Sequence, residues 1–577
     1  MHRRDLLLGA GAASMVVARQ GSWAASLRTA PRPEWASLTR QLGDRLFAIR
    51  SPLAECASAR GAGADHLFAQ IKNPYYLGDE PALTQTLGWT GAWTSRASDY
   101  AVAAANAADV AAAIDFARDQ RVPLVVKGGG HSYFGNSNRA GSLLIWTRRM
   151  RSIDLHDDFV PVGASRGTEP LPAVSVGAGA FWGQVYDAVT VRAGRYVQGG
   201  GCLTVGVAGF VQGGGFGSLS KQFGTGAANL LEAEVVTSDG RVRTVNQAQF
   251  PDLFFALRGG GGGTFGIVTR LTMRTHTLPN TIGAVQFSVT AATDGAWRAL
   301  VARVVAFYAE KLFNPSWGEQ IRFSPGHRLS VTMVCHNLTE TQTRAIWAPL
   351  LQWLAERPAD YALVGDPLII AVPARRFWDA AYLRQIPGIV LADNRPGAPA
   401  GNVFWASNLS EAGQVLHAYQ SAWMPAALLQ PELQANLVNA LIAGSAEWSI
   451  TLHFNKGLAG GTPEALARTR QTATNPAVLD AFALLICAAD APPAWPGIPG
   501  HEPDVDLGRR EAAAVTRAMA PIRRLVPNAG AYVSEADYFD EDWQRRYWGA
   551  HYGRLLAAKR TYDRGGLLGG RHTVGSG

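Results

Sequence analysis

The sequence predicts an α+β fold of two domains, the second built on a large antiparallel sheet backed by helices. Three observations lead there. The chain has 577 residues, more than one hydrophobic core organises. From about Trp89 to residue 278, strand patterns, glycine turns and helix patterns alternate. From 279 to 520 the glycine clusters thin out, tryptophans become more frequent, and long runs read as strands of a sheet with helices behind it.

Apolar residues make up 47% and charged residues 17% of the chain, as in a packed globular protein. The net charge of +8 is small for this length, and Arg148, Arg149 and Arg151 do not extend into a basic stripe. Nucleic acid is therefore not an expected partner. Cys56, Cys202, Cys335 and Cys487 lie far apart without CxxC spacing, which argues against a zinc site or a disulfide scaffold and leaves one disulfide open. No metal site is expected.

The chain begins "MHRRDLLLGAGAASMVVARQGSWAAS". A basic start, an apolar run from Leu6 to Ala18 and small residues at Ala24 and Ala25 read as an export signal over residues 1–25. The run is too short for a stable membrane anchor. Arg3 and Arg4 directly before it resemble a twin-arginine address, with an ordinary secretory signal as the alternative. A periplasmic or secreted bacterial protein is the expectation. Residues 26–88 form a lead-in.

"ANAADVAAAIDFARDQ" opens a helix with Asn106 as N-cap and Val110, Ala113, Ile114 and Ala117 on one apolar stripe. "VPLVVKGGG" is a short strand stopped by glycine. In "VSVGAGAFWG", Gly177, Gly179 and Gly183 imitate a dinucleotide fingerprint, but the spacing is G-x-G-x-x-x-G and no acidic residue closes a following strand. "EAEVVTSDGRVRTV" reads as a hairpin turning at Asp239-Gly240. In "EWSITLHFNK", Trp448, Ile450, Leu452 and Phe454 alternate with Ser449, Thr451, His453 and Asn455, giving a strand with one core face and one polar face. Residues 491–504 read as a surface loop.

Two glycine-dense stretches carry the chemistry. In "KGGGHSYFG", Gly128, Gly129 and Gly130 leave bare backbone N–H groups able to cradle a pyrophosphate just ahead of His131. Ser132, Gly135, Asn136 and Ser137 follow with small or hydrogen-bonding side chains. The second stretch runs from 197 to 224 and places Cys202 among Gly201, Thr204, Val205, Gly206, Gly209, Gly214, Gly215 and Gly217. A buried structural cysteine is one reading. A flat ligand approached edge-on by the thiol is the other.

Together the two stretches resemble the vanillyl-alcohol oxidase superfamily with its PCMH-type FAD-binding fold, and most closely the berberine-bridge-enzyme-like branch. There "GGHS" with "G-x-C-x-T-V-G-x-x-G" marks FAD held by two covalent bonds. The resemblance implies that His131 bonds the 8α-methyl of the ring and Cys202 its C6, residue types suited to adding to an electron-poor ring. It implies an FAD domain over 89–278, a substrate domain over 279–520 and a C-terminal segment, 521–577, that returns to the flavin. Gly266, Ile267 and Val268 would meet the adenine end, and Tyr547 and His551 the flavin. His551 stands where the family usually has Asn, and "DRGGLL" departs from the usual ending.

In such enzymes a base takes a proton while a hydride leaves for flavin N5. Tyr532 is the first candidate, at the start of a segment ending in Asp537, and Glu535 the second. A phenol needs a cationic or hydrogen-bonding neighbour to act so. His453 and Asn455 would line the substrate side. Phe216 stands where many carbohydrate-oxidising relatives carry Tyr, and Val205 stands where relatives admit oxygen. The expectation is a secreted FAD oxidase of an alcohol, sugars included, with a small-molecule substrate and O2 as partners and H2O2 as product. A flavin dehydrogenase or oxidative cyclase of a secondary metabolite, and a flavin-free binding protein, are the alternatives. Nothing in the sequence specifies an oligomeric state.

Overall fold

Three large sheets, a two-stranded pairing of Val390–Ala392 with Val403–Trp405, and the helices between them leave a cleft lined with glycine. The computed structural model describes residues 33–576; the expected export signal lies outside them.

One sheet has four strands in the order Leu46–Ala48, Tyr100–Ala103, Leu143–Trp146, Leu124–Lys127. The last three run parallel, and the helix Ala107–Gln120 makes the crossover. Asn106 caps that helix, its side chain accepting from the Asp109 amide at 3.0 Å. Arg121 ends it in the left-handed region at φ 55°. Val110, Ala113, Ile114 and Ala117 are buried as the stripe predicts, each large aliphatic side chain contributing about 1.5–3 kcal/mol.

A six-stranded sheet follows, in the order Val242–Asn246, Leu230–Val236, Ile267–Thr277, Leu171–Gly177, Ile153–Phe159, with Arg195–Val197 paired to the end of the central strand. Its first two strands are the hairpin expected around Asp239-Gly240.

The third sheet has ten strands, and all but one of its pairings are antiparallel. Leu300, Leu350, Leu441 and Met519, from the helices Asp294–Phe307, Glu340–Ala355, Pro431–Glu447 and Val505–Leu525, share one core with Ile321, Val331, Ile450, Leu452 and Leu485 of the sheet. Alternation sends Gln320, Thr332 and His453 to the opposite face, toward the cleft. The helices thus cover one face and the other is free to build a site.

Two boundaries fall inside elements. The strands Thr86–Trp89 and Trp93–Thr94 join the ten-stranded sheet, the first pairing in parallel with Gln414–Pro425. The expected border at 89 therefore cuts a strand of the other sheet, because a pairing more than 300 residues away leaves no local trace. The border at 521 falls within the helix Val505–Leu525, at Pro521. All four cysteines are free. No helix among the described residues is long and apolar enough to cross a membrane, and those residues include no cluster able to hold a metal ion.

Candidate active site

The cleft is a cavity of about 700 Å³ between the polar face of the large sheet and the glycine loops. Lys127 ends the strand that leads into the first loop. It is 1% exposed, and its ammonium donates to the backbone carbonyls of Glu80, Pro81 and Leu83 at 3.0, 2.6 and 2.8 Å. The loop beyond it is pressed against the second one: a Cβ on Gly129 would lie 2.7 Å from the Gly206 amide nitrogen. Glycine is required there because two backbones meet.

His131 and Cys202, from these two loops, both line the cavity. Nε2 of His131 is buried without a hydrogen-bond partner, and burial pushes the imidazole down to about 4. It is therefore neutral at physiological pH, with a free nitrogen. Burial, followed by the nearby Glu411 carboxylate, pushes the Cys202 thiol up to about 11. Its sulfur lies 3.6 Å from Thr204 Oγ1.

Gly128, Gly129, Gly130, Ser132, Asn136 and Ser137 line one wall, and Gly201, Val205, Gly206 and Gly209 another. Gly266, Ile267 and Val268 line the wall expected to take the adenine end. One part of the cavity is thus bare backbone and the other carries titratable side chains. That division, with an orphaned imidazole nitrogen and a thiol facing the same space, fits FAD.

Other residues singled out from the sequence are set back. Gly135 packs on the Trp93 ring, 2.7 Å from where a Cβ would stand. A Cβ on Gly217 would fall 1.8 Å from Gly199 O. Gly214 and Gly215 have φ of 112° and 76°, and Thr204 acts through Cys202 and His131. Tyr547 and His551 are not on the cavity wall. The Tyr547 hydroxyl donates to Asp537 O at 3.0 Å, and the His551 ring stands edge-on to Phe255 at 5.3 Å. Trp548, next to Tyr547 in the helix Trp543–Trp548, is the residue that reaches the cavity.

Tyr532, Glu535, His453 and Asn455 do come together there. The Tyr532 hydroxyl accepts from the Gly215 amide at 3.3 Å, and its ring stands edge-on to Phe216 at 5.0 Å. Burial, then Glu535, holds the phenol well above its usual range. Hydrogen bonds with Ser534 and the Gly215 amide act in the opposite direction. Glu535 is ion-paired with Lys456. Burial, then Lys456, keeps His453 neutral.

Among the residues of this wall that sequence reasoning missed are Tyr133, Glu319, Glu411, Tyr419 and Lys456. Tyr133 and Lys456 sit beside named motif residues and were within reach. Glu319 accepts from Ser218 Oγ and takes φ 72°, a left-handed conformation costing about 1–3 kcal/mol for a non-glycine residue. No sequence pattern announces it.

The chain matches the FAD binding domain family over residues 98–246 and the berberine and berberine-like family over residues 531–569. The FAD-linked oxidoreductase easE of Arthroderma benhamiae is 30% identical over 83% of this chain and 89% of its own length. FAD-linked oxidoreductase malF of Malbranchea aurantiaca is 34% identical over 48% of this chain, and the match spans only half of malF. Among solved structures, the VAO-type flavoprotein MtVAO615 of Myceliophthora thermophila superposes with a TM-score of 0.75 at 22% identity, covering 95% of both chains. Glucooligosaccharide oxidase of Acremonium strictum gives 0.61 at 20% identity, over 83% of this chain and 92% of that one. The chain belongs to the berberine-bridge-enzyme-like FAD-linked oxidoreductases, with the PCMH-type α+β fold and FAD as cofactor.

Proposed function

We propose that the protein is an exported FAD-dependent oxidase of an alcohol group, with the flavin tied to both His131 and Cys202. The observation that carries this reading is the pair itself: an unpartnered imidazole nitrogen and a thiol facing one glycine-walled cavity. The glucooligosaccharide oxidase structure is named for a 6-S-cysteinyl, 8α-N1-histidyl FAD, which supports attachment through a cysteine and a histidine here.

When bound, the flavin accepts a hydride at N5 and passes its electrons to O2. The chain supplies the rest. Glu535, the ion-paired carboxylate on the cavity wall, takes the proton of the substrate hydroxyl. Lys456 holds that carboxylate in place. Tyr532 is a positioning group: its oxygen is fixed by the Gly215 amide and its proton is kept by burial. Neutral His453 and Asn455 orient the hydroxyl. Val205, partly buried on the cavity wall, leaves room for oxygen where a bulkier side chain would close it. Export through the twin-arginine-like signal suits a protein that leaves the cytoplasm with its cofactor fixed.

Peroxide release across a panel of alcohols tests the reading. Peroxide formed in step with aldehyde or ketone supports it. Reduction of an artificial dye without peroxide would assign a dehydrogenase instead.

A further inference from the structure

We propose that Glu411, with the rings of Tyr133 and Tyr419, forms a subsite for a protonated amine, so that the alcohol oxidised carries an ammonium group. The inference rests on the oxidase reading above and names its substrate class.

Charge on the cavity wall is unbalanced. Glu319, Glu411 and Glu535 all face the cavity, and Lys456 is the one lysine on its wall, already engaged by Glu535. Arg571 also lines the space, but its guanidinium stacks 4.7 Å over Tyr538 in the C-terminal tail. The lining histidines add no positive charge, because burial holds His131, His453 and His572 below their usual range. Among the described residues Glu411 has no ion-pair partner; its one hydrogen bond comes from Asn408 Nδ2 at 3.2 Å. The residue is solvent-exposed yet lines the cavity, and partial desolvation there pushes its carboxyl upward, the expected response of an acid without a cation.

The neighbouring surface suits a cation. Tyr133 and Tyr419 both line the cavity, with ring centroids 5.1 Å apart, and the Glu411 charge acts on both hydroxyls. Two aromatic faces beside a carboxylate attract an ammonium by quadrupole and charge together. Asn455 points the same way independently. It is 4% exposed, its Nδ2 donates to Glu319 at 3.4 Å, and its buried Oδ1 has no donor. This wall is rich in acceptors and short of donors, which an ammonium supplies and a neutral polyol supplies less well.

Protonated N,N-dimethylethanolamine and its uncharged isostere 3-methylbutan-1-ol provide the test. Each is titrated into the oxidised holoenzyme, followed by the flavin absorbance difference and, independently of colour, by the shift in melting temperature. The amino alcohol should bind about tenfold or more tightly than the isostere, as an ion pair plus cation–π contact implies. Glu411→Gln should bring the two affinities together while isostere binding persists, showing that the cavity still folds. Equal affinities in the wild type, absence of amino-alcohol binding, or a preference unchanged in Glu411→Gln would overturn the subsite. Peroxide release is scored separately: amino-alcohol binding without oxidation of any alcohol contradicts the oxidase reading and leaves the subsite standing.

Discussion

The side-chain amide of Asn136 clasps the backbone of Arg571, donating from Nδ2 to its carbonyl at 3.0 Å and accepting at Oδ1 from its amide at 2.8 Å. The C-terminal tail is thereby tied across the loop that follows His131. Gly570 is required beside it, since a Cβ there would fall 2.3 Å from Asn136 Oδ1. Asn136→Ala should leave the fold intact and open this strap. In a His131→Ala/Cys202→Ala background, where FAD is held without covalent bonds, it should speed FAD release about fivefold to tenfold, as expected for loss of about 1–1.5 kcal/mol. Stopped-flow recovery of flavin fluorescence measures it.

His131→Ala and Cys202→Ala taken singly should each retain flavin after acid precipitation, through the remaining bond. The double variant should release all its flavin to the supernatant. Absorbance of pellet and supernatant decides the matter.

Lys127 donates to three backbone carbonyls from one buried ammonium. Lys127→Met keeps much of the volume and removes all three hydrogen bonds, at a cost of about 2–5 kcal/mol. Because the strand it ends leads directly into Gly128–His131, flavin incorporation should fall along with melting temperature.

Glu535→Gln should lower kcat by about 10²–10⁴ if the carboxylate takes the substrate proton. Tyr532→Phe removes its hydrogen bonds with Gly215 and Ser534 and should cost about tenfold or less. Equal losses in both variants would return the base to Tyr532.

Glu411 gives the protein a pH signature. Its folded-state value, about 7, lies above the ordinary 4.5, so between these limits the folded chain holds a proton that the unfolded chain has lost. Stability therefore falls as pH rises through that window, by a small amount, because Glu411 is exposed and water screens much of the effect. Glu411→Gln removes the effect, and its melting temperature relative to wild type should climb from pH ~5 to ~7 and then level off.

How legible this was depended on where the chemistry lies along the chain. The His131 and Cys202 loops are contiguous motifs, and their glycines are needed wherever two backbones touch, as Gly129 touches Gly206. The alternation from Trp448 to Asn455 also told which side of the strand meets the core. Glu411 and Tyr419 come from a loop and a strand more than 200 residues beyond the cysteine, with no motif around them. Tyr547 was misplaced by one position: on a helix, one residue turns a side chain by about 100°, and Trp548 takes the inward place. The strand at Thr86–Trp89 hid because its partner is the distant segment at 414.

Intact-mass measurement of the denatured, mature protein tests the central claim most directly. A chain heavier than its polypeptide by one FAD, in the His131→Ala and Cys202→Ala single variants as well as the wild type, is the predicted result. A wild-type chain weighing only what its amino acids weigh would contradict the account.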